Sequence, residues 1–176
     1  MTFSTETFTL EALKPKDASS LSALMISNGR KFQKYLPNTL EQNLSEKDSK
    51  IYISKQNKAR KNKTEFTFAV KDKETKEVAG LIILKNINYQ LKQGEFAYCI
   101  GAAYSGKGWI TQSIKAATKF AHEELGLKNL QIIIHKTNTR SIHVAQRCGY
   151  TWTKTLNQEH TSGEVNLDME LYELHY

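Results

Sequence analysis

The sequence predicts an α/β protein, a mixed α+β sheet with helices on both faces. Three features lead there. Three runs between residues 65 and 100 alternate apolar and polar residues and are separated by polar turns, as in an antiparallel meander. A long stretch from Trp109 to Leu125 then carries an apolar stripe at helical spacing. After it, Asn129–His135 (NLQIIIH) is almost continuously apolar, like a strand buried on both faces.

The elements follow in order. Phe8–Leu13 (FTLEAL) alternates as a first strand. Lys14–Asp17 forms a turn, and Asp17 is placed to cap the helix that follows. Leu21, Leu24 and Met25 form that helix's apolar face. Pro37 breaks the chain after Tyr35-Leu36. A second helix begins after its cap Ser45, with Asp48 three residues on, and fades near Lys63. The meander strands are Glu65–Lys71, Val78–Ile87 and Glu95–Ile100. In the next helix Ile110, Ile114, Ala117, Phe120 and Ala121 face inward, and Gly126 ends it. Asn138 or Thr139 caps a short helix with Ile142, Ala145 and Cys148 on its inner face. Tyr150–Leu156 and Val165–Leu174 are the last strands, joined by the polar stretch Asn157–Glu164.

Composition bounds the function. A chain of 176 residues, 39% hydrophobic and 24% charged, is expected to form one globular domain over residues 1–176. No apolar run approaches the roughly 18–20 residues that span a bilayer, and the N-terminus lacks a signal-peptide layout. The expectation is a cytoplasmic protein without membrane contact. Cys99 and Cys148 are isolated, without a CxxC pair or Cys/His cluster, so reduced thiols and no metal are expected. The net charge is +7. Residues 1–64 hold 12 Lys/Arg against 6 Asp/Glu, and Lys55, Lys58, Arg60, Lys61 and Lys63 are the densest group. That run reads as a solvated helix end or as a polyanion-binding patch. It has no interleaved aromatic residue to stack bases, so a nucleic-acid partner is not expected.

The chemistry concentrates in EFAYCI-GAAYSGKGWITQS. A strand enters a glycine-bearing loop that opens directly into a helix. The first N–H groups of a helix lack intrahelical partners and carry the positive end of its dipole. Gly106 and Gly108 allow close backbone approach and Lys107 adds a cation, which together suit a phosphate or pyrophosphate. An ordinary strand–helix connection would use the same glycines for tight turning. Gly101-x4-Gly106-Lys107 is nearly a P-loop, but Gly108 replaces the Ser/Thr that holds magnesium. A dinucleotide fingerprint fails at Thr111, where glycine is required.

The segment resembles the acetyl-CoA site of the GNAT N-acetyltransferases. Their Gln/Arg-x-x-Gly-x-Gly/Ala loop falls on Ala103-Tyr104-Ser105-Gly106-Lys107-Gly108, with Ala103 in place of Gln or Arg. Asn138-Thr139-Arg140-Ser141, then Gly149-Tyr150, is similar to the family's Asn-x-x-Ser…Gly-Phe/Tyr segment. Within the family the chain is most similar to the branch that acetylates the Ser or Ala N-termini of ribosomal proteins. The resemblance implies a meander followed by two parallel strands that splay apart, here Glu95–Ile100 and Asn129–His135. The pantetheine arm would pair with backbone groups of Tyr98, Cys99 and Ile100. The pyrophosphate would rest on N–H groups of Tyr104, Ser105, Gly106, Lys107, Gly108, Trp109 and Ile110, and Asn138 would bond the arm from the other side. Trp109 equally suits a core role.

The resemblance also implies acetyl-CoA as co-substrate and a primary amine as acceptor: a protein N-terminus or a small amine. A non-catalytic acyl-CoA-binding module is the alternative, and a homodimer is compatible with the branch. Many family members protonate the departing thiolate from a Tyr seven residues after the Asn; here that residue is Ala145. The branch places Ser141 near the sulfur instead, and its other reading is a first-turn capping residue. Glu95 is a candidate base, sharing a strand face with Ala97 and Cys99. A Glu of the branch between the last two strands falls on His160, with Glu159 one residue earlier, and either could accept a proton. Asp168 would orient the ammonium or face solvent. His143 is expected at a rim.

Overall fold

The computed structural model describes residues 1–162 and 165–176, with side chains described outside 158–167. Among the described residues, eight strands form one sheet: β1 (Phe3–Ser4), β2 (Phe8–Ala12), β3 (Phe66–Asp72), β4 (Val78–Asn88), β5 (Gln93–Ile100), β6 (Asn129–His135), β7 (Thr151–Ser162) and β8 (Val165–His175). The spatial order is β1-β2-β3-β4-β5-β6-β8-β7. The pairs β2–β3, β3–β4 and β4–β5 are antiparallel, as the meander requires. The pair β5–β6 is parallel. β1, which has two residues, was not anticipated; it pairs antiparallel with β2.

Helices cover the two faces. On one lie α1 (Ala18–Ser27), α2 (Gly29–Tyr35), α3 (Pro37–Glu41) and α4 (Glu46–Lys61); on the other lie α5 (Trp109–Glu123) and α6 (Thr139–Arg147). The first core joins Leu21, Met25 and Phe32 to Leu81, Ile83 and Cys99. The second joins Phe8, Trp109 and Ile114 to Leu130, Ile132 and Ile134. Ser45 caps α4 as expected, its Oγ accepting from the Asp48 N–H at 3.1 Å. No helix among the described residues is long and apolar enough to cross a membrane.

Two expectations need correction. The first half holds four helices, not two. Asn28 interrupts the helical run at φ −113°, ψ 19°, and Pro37 separates α2 from α3 by forcing Leu36 out of helical geometry. Asp17 does not cap α1. Its carboxylate accepts the Lys14 N–H at 2.7 Å and pairs with Lys71 at 2.6 Å, so it is already committed.

The parallel pair positions the site. β5 and β6 pair from Gln93↔Asn129 through Phe96↔Ile132 and no further. β4 holds the outer side of β5 as far as Ile100, and β8 holds β6 as far as His135. The two strands therefore separate while each remains anchored to its outer neighbour. β6 is not buried on both faces, as its apolar run suggested: successive side chains face opposite sides of the sheet, so Leu130, Ile132 and Ile134 are buried, whereas Gln131 and Ile133 are half-exposed.

Candidate active site

A groove of about 680 Å³ opens along the split and continues over the loop before α5. Gly106 (φ 81°) and Gly108 (φ 75°) occupy the left-handed region, where a side chain is strained. A Cβ on Gly106 would meet nothing within 4 Å. The first bond of α5 runs from the Gln112 N–H to the Gly108 carbonyl at 3.1 Å. The N–H groups of Trp109, Ile110 and Thr111 precede it and are free of the helix ladder. All three residues border the groove. The loop is thus a backbone cradle at the positive end of a 15-residue helix.

Most of the expected residues converge here. Tyr98, Cys99, Ile100, Tyr104, Ser105, Gly106, Gly108, Trp109, Ile110, Asn138 and Ser141 line the groove. Trp109 also belongs to the core, stacked on Phe8 at 5.2 Å and Tyr104 at 5.5 Å. Asn138 caps α6, its Oδ1 accepting the Ser141 N–H at 3.4 Å. The Tyr98 hydroxyl donates to the Ser141 carbonyl at 2.8 Å, fixing the first turn of α6 against β5. Burial pushes the Tyr98 phenol well above its ordinary value. It pushes the Cys99 thiol up to about 12, so Cys99 is a wall residue rather than a nucleophile. His143 stands exposed at the rim.

Two candidates fall elsewhere. The Lys107 ammonium lies over the rings of Tyr104 (5.4 Å) and Trp109 (5.1 Å), a cation–π position that does not border the groove. Glu95 lies in the paired part of β5, opposite Gln131. Lys85 pairs with it at 3.2 Å and the Asn86 amide donates to it at 2.7 Å. The split opens after Phe96, so Glu95 is held outside it. The side chains of Glu159 and His160 lie outside the described residues. Asp168 is exposed on β8.

Sequence reasoning missed the contribution of α2. Lys31, Phe32, Tyr35 and Leu36 line the groove opposite α6, and the Lys31 ammonium donates to the Ile100 carbonyl at 3.4 Å. Arg140 and Arg147 of α6 were also missed as groove residues. Arg140 donates to the Ser105 hydroxyl at 3.1 Å, bracing the glycine loop. At the inner end a pocket of about 60 Å³ is bordered by Lys34, Tyr35, Ala97, Tyr98, Ile133, His135, Ser141 and Met169, among others. From the sequence, only Tyr98 and Asn138-x-x-Ser141 pointed to that end.

A parallel strand pair that parts beside a backbone phosphate cradle is the frame of an acyltransferase fed by a coenzyme A thioester. Residues 7–151 match the Acetyltransferase (GNAT) domain, and the chain belongs to that family. It is 35% identical over 75 residues to the spermidine N(1)-acetyltransferase of Escherichia coli K12. That match covers 43% of this chain and only 40% of the relative's length. It is 29% identical over 149 residues to the candidate ribosomal N-acetyltransferase YdaF of Bacillus subtilis, covering 82% of this chain and 78% of the relative. Among solved structures, the ribosomal-protein-S5-alanine acetyltransferase of Vibrio fischeri superposes with a TM-score of 0.92 at 17% identity, covering 99% of this chain and 96% of that one. The microcin C7 self-immunity acetyltransferase MccE, solved with acetyl-CoA and AMP, gives 0.87 at 24% identity, covering 98% and 94%.

Proposed function

We propose that this protein transfers the acetyl group of acetyl-CoA to a primary amine, with a protein N-terminus as acceptor. The observation that carries the reading is the end of β5–β6 pairing at Phe96↔Ile132, beside the free N–H groups that open α5. The unpaired edge of Tyr98–Ile100 offers backbone groups to an extended amide-bearing arm. The cradle of Gly106–Ile110 takes the pyrophosphate, with the guanidinium groups of Arg140 and Arg147 at the same groove. Asn138 borders the arm from the α6 side. The acceptor ammonium must lose a proton before it attacks the thioester carbon. Collapse of the tetrahedral adduct then expels the thiolate, and Ser141 at the inner pocket hydrogen-bonds the departing sulfur or relays a proton to it.

Charge supports a peptide rather than a polyamine. Lys31 and Lys34 of α2 stand at the groove and its inner pocket. They repel a polycation and favour an acceptor with acidic residues behind its amine. Likeness to the spermidine enzyme over 75 residues supports a small amine as the second reading. Free-thiol release from acetyl-CoA separates the two. Peptides beginning Ser, Ala or Met, followed by acidic residues, are expected to turn over faster than spermidine. Turnover with spermidine alone would reverse the acceptor assignment. Saturable acetyl-CoA binding with no thiol release from any amine would favour a non-catalytic module.

A further inference from the structure

A chain of polar groups starts and ends at the wall of the inner pocket, joined by the exposed Thr137, and has no role in the acetyl transfer described so far. Tyr35, at the end of α2, places its hydroxyl 3.4 Å from Thr137 Oγ1. Thr137 Oγ1 lies 2.6 Å from His135 Nδ1, at the end of β6. The Thr137 backbone N–H donates to the same Nδ1 at 3.2 Å. Because that N–H can only donate, Nδ1 carries the acceptor lone pair, and the neutral ring holds its proton on Nε2. The threonine O–H then points to Nδ1 and leaves its own lone pairs toward Tyr35. The contacts run in one direction, from a phenol at the pocket wall to an imidazole.

We propose that Tyr35 is the catalytic residue that takes the acceptor's ammonium proton and passes it through Thr137 to His135. This rests on the acetyl-transfer reading. An ammonium N–H bond breaks as its proton reaches the Tyr35 oxygen. The Tyr35 proton moves to Thr137 Oγ1, and the Thr137 proton moves to His135 Nδ1. The freed amine pair forms the C–N bond, and the thioester C–S bond breaks with its electrons on sulfur. The second nitrogen proton goes to that sulfur, and the imidazolium returns its proton to solvent. Thr137 and His135 act through Tyr35 and are positioning residues.

Two further observations favour this route. Tyr35 and His135 border the same small pocket as Ser141, so proton removal and sulfur protonation flank one reacting carbon. Glu95 is bound to Lys85 and Asn86 outside the pocket. Among the described residues, the charged and titratable groups that border the pocket with His135 are Lys34 and Tyr35 from α2 and Tyr98 from β5; Lys136 follows it in sequence, and Asp168 adjoins its β8 partner Met169. An O···O distance of 3.4 Å is long, and such bonds commonly close when the acceptor docks.

The test is the pH dependence of kcat for Thr137→Val, Thr137→Ser, His135→Gln and Tyr35→Phe. Acceptors are an alanine-initiated acidic peptide and spermidine, and acetyl-CoA affinity is measured in parallel. Thr137→Val is nearly isosteric at an exposed position, so the fold is retained. We expect it to lower kcat about 100-fold with acetyl-CoA affinity unchanged, and Thr137→Ser to restore most of the rate. The wild type is expected to lose activity toward acid pH, because a protonated imidazole at the end of the relay cannot accept a further proton. His135→Gln is expected to lack that limb and keep only the acceptor amine's own, near about 8 for a peptide. Wild-type turnover with an unchanged kcat and acid limb in Thr137→Val and His135→Gln overturns the relay alone. No thiol release by the wild type with either acceptor, despite acetyl-CoA binding, overturns the acetyl-transfer reading and the relay with it.

Discussion

Lys71 Nζ and Asp17 Oδ2 meet at 2.6 Å, and their side chains are only 7% and 5% exposed. The pair ties β3 to the turn that launches α1. Lys71 also reaches Glu11 at 2.8 Å, and Asp17 accepts the Lys14 N–H. Breaking one side of a buried ion pair strands the other charge, which typically costs about 3–5 kcal/mol. Lys71→Met is therefore expected to destabilise the protein by roughly that amount in urea unfolding. Asp17→Asn combined with Lys71→Met is expected to cost less than the sum of the single changes, because no buried charge is then stranded. Additive losses would show that the pair is not coupled.

Glu11 gives the same cluster a pH signature. Burial acts to raise its carboxyl, but the hydrogen bonds and charges of Lys71 and Lys14 prevail and hold it below the usual glutamate range. A lowered folded value stabilises above the unfolded value, about 4.3, and that stabilisation is lost as pH falls through the folded value. Stability measured between about pH 5 and pH 2 should therefore fall more steeply in the wild type than in Lys71→Met. Parallel curves would remove Lys71 as the cause.

Gly80 and Gly106 separate fold from ligand. A Cβ on Gly80 would lie 2.3 Å from the Cys99 carbonyl, a backbone atom that cannot step aside. Gly80→Ala should disrupt β4–β5 pairing beside the split and cost both stability and acetyl-CoA affinity. A Cβ on Gly106 meets nothing in the protein, so Gly106→Ala carries only the left-handed backbone penalty, roughly 1–2 kcal/mol. It should stay folded yet raise KM for acetyl-CoA at least about tenfold, since the proposed pyrophosphate site lies against its backbone. A normal KM in a folded Gly106→Ala would place the phosphates elsewhere.

The order of elements from Phe66 to His135 was legible because each run kept one hydrophobic period, and Asn129–His135 was located to the residue. The glycine loop was legible because its residues are consecutive. The groove's other wall was not. Lys31, Phe32, Tyr35 and Leu36 reach it only because Asn28 and Pro37 isolate α2 as a short helix, and its seven residues carry no distinct pattern. Asp17 was misread because its sequence neighbours suit a cap, whereas its partner Lys71 lies 54 residues away. Glu95 was placed on the correct face, but the register at which β5 leaves β6 cannot be read from either strand alone.

The thiols offer a direct check on burial. Burial pushes Cys99 up to about 12 and Cys148 up to about 11, so at pH 8 both are almost wholly protonated in the folded protein. The thiolate is the reactive form. Iodoacetamide at pH 8 should therefore label neither cysteine until urea unfolds the chain, with Cys148 the faster of the two at pH 10. Rapid native labelling of Cys99 would mean that the groove opens deeply enough to solvate its wall.

Tyr98 and Arg140 should divide turnover from binding. The Tyr98 hydroxyl fixes the Ser141 carbonyl at 2.8 Å, so Tyr98→Phe loses one hydrogen bond, about 1 kcal/mol of stability. It also loosens the first turn of α6 at the inner pocket. If Ser141 assists the departing sulfur, that loosening lowers kcat and leaves KM for acetyl-CoA nearly unchanged. Arg140 braces Ser105 in the glycine loop, at the proposed pyrophosphate end of the groove. Arg140→Ala should raise KM for acetyl-CoA, steepen its rise with salt less than in the wild type, and leave kcat nearly intact. Steady-state kinetics on both variants checks the division. A kcat loss in Arg140→Ala matching that of Tyr98→Phe would mean that the loop and the reacting end move together.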